Sequence, residues 1–167
     1  NQVGYNLHRA TGSVHDYYYE VSHGQFDLSV DVVGPYQGVY NMGHYGEDDG
    51  GYQDFAEEAV QYASADVDFS NYDNDQDGYI DGMHIIFAGF GEEAGASSEC
   101  IWSHKWNIFS SPVHNNTVVN VYSCSPELSG NMGENMTNIG VICHELGHVF
   151  GAPDYYDTDY ASSGGHL

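Results

Sequence analysis

Basic residues are nearly absent from this sequence. Its 167 residues include only Arg9 and Lys105 against 25 acidic side chains, which gives a formal net charge of −23 at pH 7. Nucleic-acid binding needs clustered Lys and Arg to neutralise phosphates, and anionic membrane surfaces attract the same residues. We therefore expect neither a nucleic acid nor a membrane as a partner, and we expect most of the acid to be a solvating surface.

Long apolar runs and a leader are also missing. No run reaches about 18 apolar residues, so we expect no membrane-spanning helix. The chain begins at Asn1 with no basic and apolar leader, which indicates a processed or trimmed chain whose signal or pro-segment has been removed. The length and the 41% hydrophobic content predict a single globular domain over residues 1–167.

Cysteine is scarce, with only Cys100, Cys124 and Cys143 present. Cys143 lies in an apolar run, which favours a small buried packing residue. Cys100 and Cys124 flank a loop, but sequence spacing alone does not establish the geometry of a disulfide. Their pairing stays open at this stage.

Helical and strand patterns alternate along the chain. Alternating or continuous apolar patterns predict strands over 26–34, 83–90, 101–106 and 117–125. Helical periodicity and capping residues predict three helices. The first runs from Thr11 or Ser13 to Gly24, and the last from Thr137 to about Phe150. The middle helix spans 52–63, with Phe55, Ala59 and Tyr62 expected to face the core. This alternation predicts an α/β (α+β) domain.

The last predicted helix carries two histidines in the stretch CHELGHVFGAPD, residues 143–154. His144 and His148 are four residues apart and therefore lie one turn above each other. This geometry allows two imidazoles to bind one Zn²⁺, while Glu145 reaches a metal-bound water without being a ligand. The alternative is a helix that happens to carry two histidines.

A third ligand is expected just after the helix. Gly151 permits a sharp turn, and Asp154 then returns ten residues after His144. No glutamate follows Glu145, so a downstream glutamate ligand of the thermolysin type is excluded within this chain. We therefore predict zinc bound by His144, His148 and Asp154.

A second acidic motif, DNDQDGYID, spans residues 73–81. Its spacing matches a calcium loop, with the expected ligands Asp73, Asp75, Asp77, the Tyr79 carbonyl and Asp81. The twelfth position is His84 rather than a bidentate glutamate, and a strand follows instead of a helix. We predict a structural Ca²⁺ site here; the alternative is an acidic surface turn.

Trp102, His104 and Trp106 alternate along the stretch IWSHKW. Alternation places them on one face of a strand, where they would line the rim of a cleft beside an extended peptide. An aromatic core edge with His104 exposed explains the pattern equally well. Both interpretations stay open at this stage.

The stretch HELGHVFGAPDYYD resembles the active-site signature of metzincin-like zinc proteases, in particular the immune inhibitor A family of secreted bacterial metalloproteases. Three further stretches, SVHDYYYEVSHGQFDLSVDVVGP, VDFSNYDNDQDGYIDGMHIIFAGFGEEAG and IWSHKW, resemble the catalytic domain of the same family. The resemblance implies a zincin-like fold, a twisted mixed sheet with an active-site helix carrying HExxH. It also implies a secreted zinc endopeptidase that acts on proteins or peptides.

The expected reaction is attack of a zinc-bound water on the peptide carbonyl, with Glu145 as general base. Two alternatives belong to other classes. One is a calcium-stabilised binding or adhesion module with a vestigial metal site, and the other is a zinc hydrolase of a non-peptide amide.

One feature departs from the family pattern. Metzincin-type sites have a methionine-containing turn after the third ligand, but no methionine follows Met136 before the chain ends at Leu167. We therefore expect part of the catalytic domain to be missing at the C-terminal end. A separate C-terminal fragment of the same protein is an expected partner.

Overall fold

The computed structural model describes residues 12–46 and 51–154. The helices of this part are α1 (Val14–Val21), α2 (Met42–Gly46), α3 (Gly51–Ala63) and α4 (Ile139–Val149). The strands are β1 (His84–Phe90), β2 (His104–Asn107), β3 (Val113–His114), β4 (Thr117–Val118) and β5 (Val121–Leu128). The C-terminal residues 155–167, on which the expectation of a missing segment depends, lie outside the described residues.

The three longer strands form one sheet in the order β1-β5-β2. Strand β5 pairs in parallel with β1 and antiparallel with β2. Its central position explains why Tyr122, Cys124 and the intervening Ser123 have no solvent exposure. The expected mixed α/β fold with a twisted mixed sheet is confirmed.

The predicted strand over 117–125 is divided in two. Asn115 and Asn116 both have positive φ angles, 53° and 64°, which suits a two-residue turn between β3 and β4. Strand β4 pairs with β3 as a small separate hairpin, and β5 begins only at Val121. The single-strand prediction was wrong because β-propensity does not show which neighbour a segment pairs with.

The predicted strand over 26–34 is absent from the described structure, where these residues form no regular element. Val30 and Val32 are 59% and 90% exposed. Alternating valines predict a strand only when one face is buried against a partner, and no such burial occurs here.

Helix α3 packs on the main core but not through the predicted face. Ala56 and Val60 are fully buried, whereas Phe55 is only partly buried against this cluster. The predicted inward positions Ala59 and Tyr62 are therefore wrong by about one residue around the helix, a shift of roughly 100°.

Helix α1 begins as expected at Ser13, whose hydroxyl accepts from the Asp16 amide while the Asp16 carboxylate accepts from the Ser13 amide. Helix α4 begins at Asn138, which accepts from the Gly140 amide at 2.8 Å. Thr137 is not the cap, because its buried hydroxyl makes no hydrogen bond among the described residues.

A buried hydrogen bond joins the two helices. The Tyr18 hydroxyl donates to the Cys143 carbonyl at 2.6 Å, and the Tyr18 ring meets Phe26 and Phe150 edge to face. Helix α1 therefore holds α4 at its middle and at its C-terminal end.

Cys100, Cys124 and Cys143 are all free thiols. Cys124 lies in the core, with its sulfur 3.4 Å from His104 Nδ1. Among the described residues, no helix combines the length and apolar character needed to cross a membrane.

Candidate metal centre

Helix α4 and the turn that follows it bring together His144, His148 and Asp154. The helix ends at Val149, and Gly151 takes a φ of 89°, a left-handed conformation that glycine adopts without strain. The Ala152 amide then donates to the Gly147 carbonyl at 2.9 Å. This turn directs the chain back so that Asp154 faces the two histidines.

The three side chains form a nearly equilateral triangle of ligand atoms. The two imidazole Nε2 atoms are 3.1 Å apart. Asp154 Oδ1 lies 3.5 Å from His144 Nε2 and 3.3 Å from His148 Nε2. A tetrahedral ion with ligands at about 2.0–2.1 Å has an edge of about 3.3–3.4 Å. The donor set therefore fits a tetrahedral metal with one position left open.

The chain also sets the proton position on one ligand. His148 Nδ1–H donates to the Ala152 carbonyl at 2.8 Å. In the neutral ring this leaves the lone pair on Nε2, which faces the other two ligand atoms. A backbone acceptor on the distal nitrogen is the usual support of a metal-binding histidine.

Glu145 lies beside these ligands and is 7% exposed. Burial raises the pKa of its carboxyl to about 7, the Asp154 and Glu93 charges act in the same direction, and His148 opposes them. Within the described residues this carboxylate has no hydrogen-bond partner of its own. It is thus a buried acid–base group with a pKa near neutrality and free lone pairs.

Glu93 is a neighbour of this centre that the sequence interpretation missed. Its carboxylate accepts from the Ser103 amide at 3.1 Å and from the Ser103 hydroxyl at 2.5 Å. A Cβ at Gly91 would clash with the Glu93 carboxylate, so a larger residue there would displace that carboxylate from Ser103. The signal in the sequence is the run GFGEEAG after the buried strand, where two glutamates follow a glycine turn.

The acidic loop places Asp73, Asp75 and Asp77 close together. Each offers a carboxylate oxygen, and these oxygens lie within 4.8 Å of one another. The Asp77 amide donates to Asp73 and Asp75, at 3.0 and 3.2 Å.

The other two predicted ligands of this loop are placed differently. Asp81 is not part of the cluster, since its carboxylate accepts from both the backbone and the side chain of Asn74. Tyr79 adjoins β4 through a parallel bridge to Val118. His84, at the twelfth position, lies between the hydroxyls of Ser123 and Ser125, at 2.8 and 2.9 Å.

A mixed α/β domain whose helix carries two imidazoles, with an adjoining carboxylate and a buried glutamate, is a candidate metal-dependent hydrolase. Comparison with known proteins identifies the family. The profile of the immune inhibitor A peptidase M6 catalytic domain matches residues 61–167. The chain belongs to this metallopeptidase family, and the match includes α4 and the acidic loop.

Curated relatives agree with this assignment. Immune inhibitor A of Bacillus thuringiensis subsp. alesti is 36% identical over 114 residues, which cover 62% of this chain and 16% of the relative. The pre-pro-metalloprotease PrtV of Vibrio cholerae serotype O1 is 28% identical over 183 residues, covering 91% of this chain and 20% of the relative. The chain thus spans a fifth or less of the length of these relatives.

Proposed function

We propose that this chain is the catalytic part of a zinc-dependent endopeptidase with a zincin-like fold. The observation that carries the proposal is the triangle of His144, His148 and Asp154 ligand atoms, with edges of 3.1, 3.3 and 3.5 Å. Proteins or peptides are the proposed substrates, as the names of the metalloprotease relatives indicate for those proteins.

The three ligand side chains would hold the ion from one side and leave the other side to the substrate. When bound, zinc supplies a Lewis acid that polarises a carbonyl and acidifies water. His148 is oriented for this role by its bond to the Ala152 carbonyl. Asp154 contributes a negative charge that offsets part of the charge of the ion.

Glu145 is the proposed general base. Its carboxylate oxygen takes a proton from the attacking water and delivers that proton to the leaving amine. A pKa near 7 suits both transfers, because the group accepts and releases a proton at neutral pH. A bound dication would lower this pKa, which keeps the carboxylate ionised before attack.

The test is Glu145→Gln, which keeps the size of the side chain and removes its basicity. We expect cleavage of casein to fall by about 10²–10⁴-fold while zinc content and melting temperature stay near those of the parent. Glu20→Gln, which removes an exposed carboxylate on α1, is the matched control. Parent-like cleavage by Glu145→Gln would remove Glu145 as the base.

The two alternative functions predict different results for the parent chain. A binding or adhesion module with a vestigial site would leave casein intact with or without zinc. A zinc hydrolase of a non-peptide amide would bind zinc and also leave casein intact, but would hydrolyse small acyl amides.

We also propose that the loop over 73–81 binds Ca²⁺ as a structural ion. Three carboxylates within 4.8 Å of one another favour this function, because clustered like charges repel unless a cation offsets them. Asp73, Asp75, Asp77 and the Tyr79 carbonyl are the proposed ligands. Asp81 would have to exchange its bonds to Asn74 for the ion or for a bridging water.

Export of the protein is a further proposal. The name of the Vibrio relative, a pre-pro-metalloprotease, describes a precursor of that protein. No disulfide joins the three described cysteines, and the calcium loop is the proposed additional means of stabilising the exported fold. Detection of the protein in culture supernatant, with the cell fraction depleted, is the result expected.

A further inference from the structure

An aromatic pocket lies beside β2, separate from the metal ligands. Its cavity has a volume of about 250 Å³. The lining of this aromatic pocket includes five rings and one carboxylate, those of Tyr45, Tyr52, Trp102, His104, Trp106 and Glu92.

The aromatic pocket and the candidate metal centre lie on neighbouring elements. Strand β2 contacts α4, and Ser103, between two pocket residues, is bonded to the Glu93 carboxylate whose charge acts on Glu145. Among the described strands β2 pairs only with β5, and an edge strand is the kind of element to which an extended peptide adds.

The rings are held in place but left partly open. Tyr52 meets His104 and Trp106 edge to face, each at a centroid distance of 6.4 Å. Trp102 and Trp106 are nevertheless 57% and 48% exposed. Large aromatic surfaces clustered around a cavity mark a binding site more often than scattered exposed side chains do.

Glu92 gives this pocket its charge. Its amide donates to the Ile101 carbonyl at 3.2 Å, which fixes it beside the rings. Its carboxylate has no hydrogen-bond or ion-pair partner within the described part of the chain. An apolar ligand would remove water from this carboxylate without offering it a hydrogen bond or an opposite charge. A cationic ligand would pair with the carboxylate and contact the ring faces. Burial lowers the pKa of His104, so that ring is uncharged at pH 7 and does not repel a cation.

We propose that the aromatic pocket is a specificity subsite that takes the Lys or Arg side chain of a peptide bound along β2. This inference rests on the proposed peptidase function and adds a substrate class to it. The net charge of −23 acts in the same direction, because it attracts cationic substrates from a distance.

Intrinsic fluorescence gives a direct test, because both tryptophans of the chain line this pocket. The probes are two capped pentapeptides that differ at one position, Arg in one and the uncharged isostere citrulline in the other. They are titrated at pH 7.5 into the Glu145→Gln chain, which prevents turnover. We expect the Arg peptide to shift the emission and to bind about three- to tenfold more tightly than the citrulline peptide.

Adding Glu92→Gln to this chain should abolish the preference for Arg, while adding Glu20→Gln should preserve it. Equal affinity for the two peptides would overturn the assignment of a cationic side chain to this pocket. Tighter binding of a third peptide with phenylalanine at the same position would also overturn it.

Binding is measured without cleavage, so the peptidase proposal and the subsite proposal fail separately. An Arg preference in a chain whose parent cleaves nothing would contradict only the peptidase function. Cleavage of casein without an Arg preference would contradict only the subsite.

Discussion

At the scale of single residues, two carboxylates near the metal centre have opposite surroundings. The Glu145 side chain is buried and has no hydrogen-bond partner among the described residues, and burial raises its pKa to about 7. Glu93 accepts two hydrogen bonds from Ser103, and its charge acts to raise the pKa of Glu145. The two carboxylates therefore differ in their hydrogen bonds, and Glu145 is the proposed proton carrier.

Glu93→Gln should therefore change the pH dependence of cleavage. The Glu93 charge raises the pKa of Glu145, so its removal lowers that pKa. Glu145 acts as a base only when ionised, and the acidic limb of kcat/KM should move to lower pH. Glu20→Gln, which removes an exposed carboxylate on α1, is the control and should leave the limb in place. A limb that moves equally in both variants, or in neither, would remove Glu93 from this role.

At the scale of elements, α4 depends on α1 for its position. The hydroxyl of Tyr18 reaches the Cys143 carbonyl, one residue before the first histidine. Phe26 and Phe150 pack edge to face at 5.0 Å beside the same ring. This arrangement joins the N-terminal segment to the end of α4, where the chain turns toward Asp154.

Tyr18→Phe should lower the free energy of unfolding by about 1 kcal/mol, because it removes one buried hydrogen bond and keeps the ring. Urea denaturation measures this change. Tyr17→Phe is the matched control, since Tyr17 is 44% exposed and its hydroxyl has no hydrogen bond in the described structure. Equal stability of the two variants would show that the Tyr18 hydroxyl does not stabilise the fold.

At the scale of the whole molecule, the sequence predicts local features better than distant pairings. The range of α4 and the return of Asp154 depend on residues within one short stretch, and the structure places them close to the predicted positions. Their roles as ligands stay predictions. The strand order β1-β5-β2 depends on pairings between residues 14 to 39 positions apart in the sequence, which periodicity does not encode.

Two errors show the same limit. The valines at 30 and 32 alternate as in a strand, yet both are exposed in the described part of the structure. The contact between Glu93 and Ser103 also escaped prediction, because it depends on a loop that folds back across ten residues. The sequence groups Trp102, His104 and Trp106 as one possible cleft rim, but the contribution of Tyr52 from α3 to the same pocket appears only in the structure.

The acidic character of the molecule leads to a prediction on calcium. A cation that binds only the native state stabilises it by mass action, so Ca²⁺ should raise the melting temperature at constant zinc. Asp75→Asn should reduce this rise, because it removes one of the three clustered carboxylates. Glu20→Gln removes the same charge on α1 and should retain the full rise. A melting temperature indifferent to Ca²⁺ and to its chelation would contradict the calcium proposal.

The measurement that tests the central claim most directly is the zinc content of the purified chain after dialysis against metal-free buffer. We expect one zinc per chain in the parent, and loss of that zinc in His148→Ala and Asp154→Ala, because each removes one corner of a triangle with edges of 3.1–3.5 Å. His23→Ala, on the turn after α1, should keep the ion. A parent chain without zinc, or full zinc retention in His148→Ala, would contradict the account.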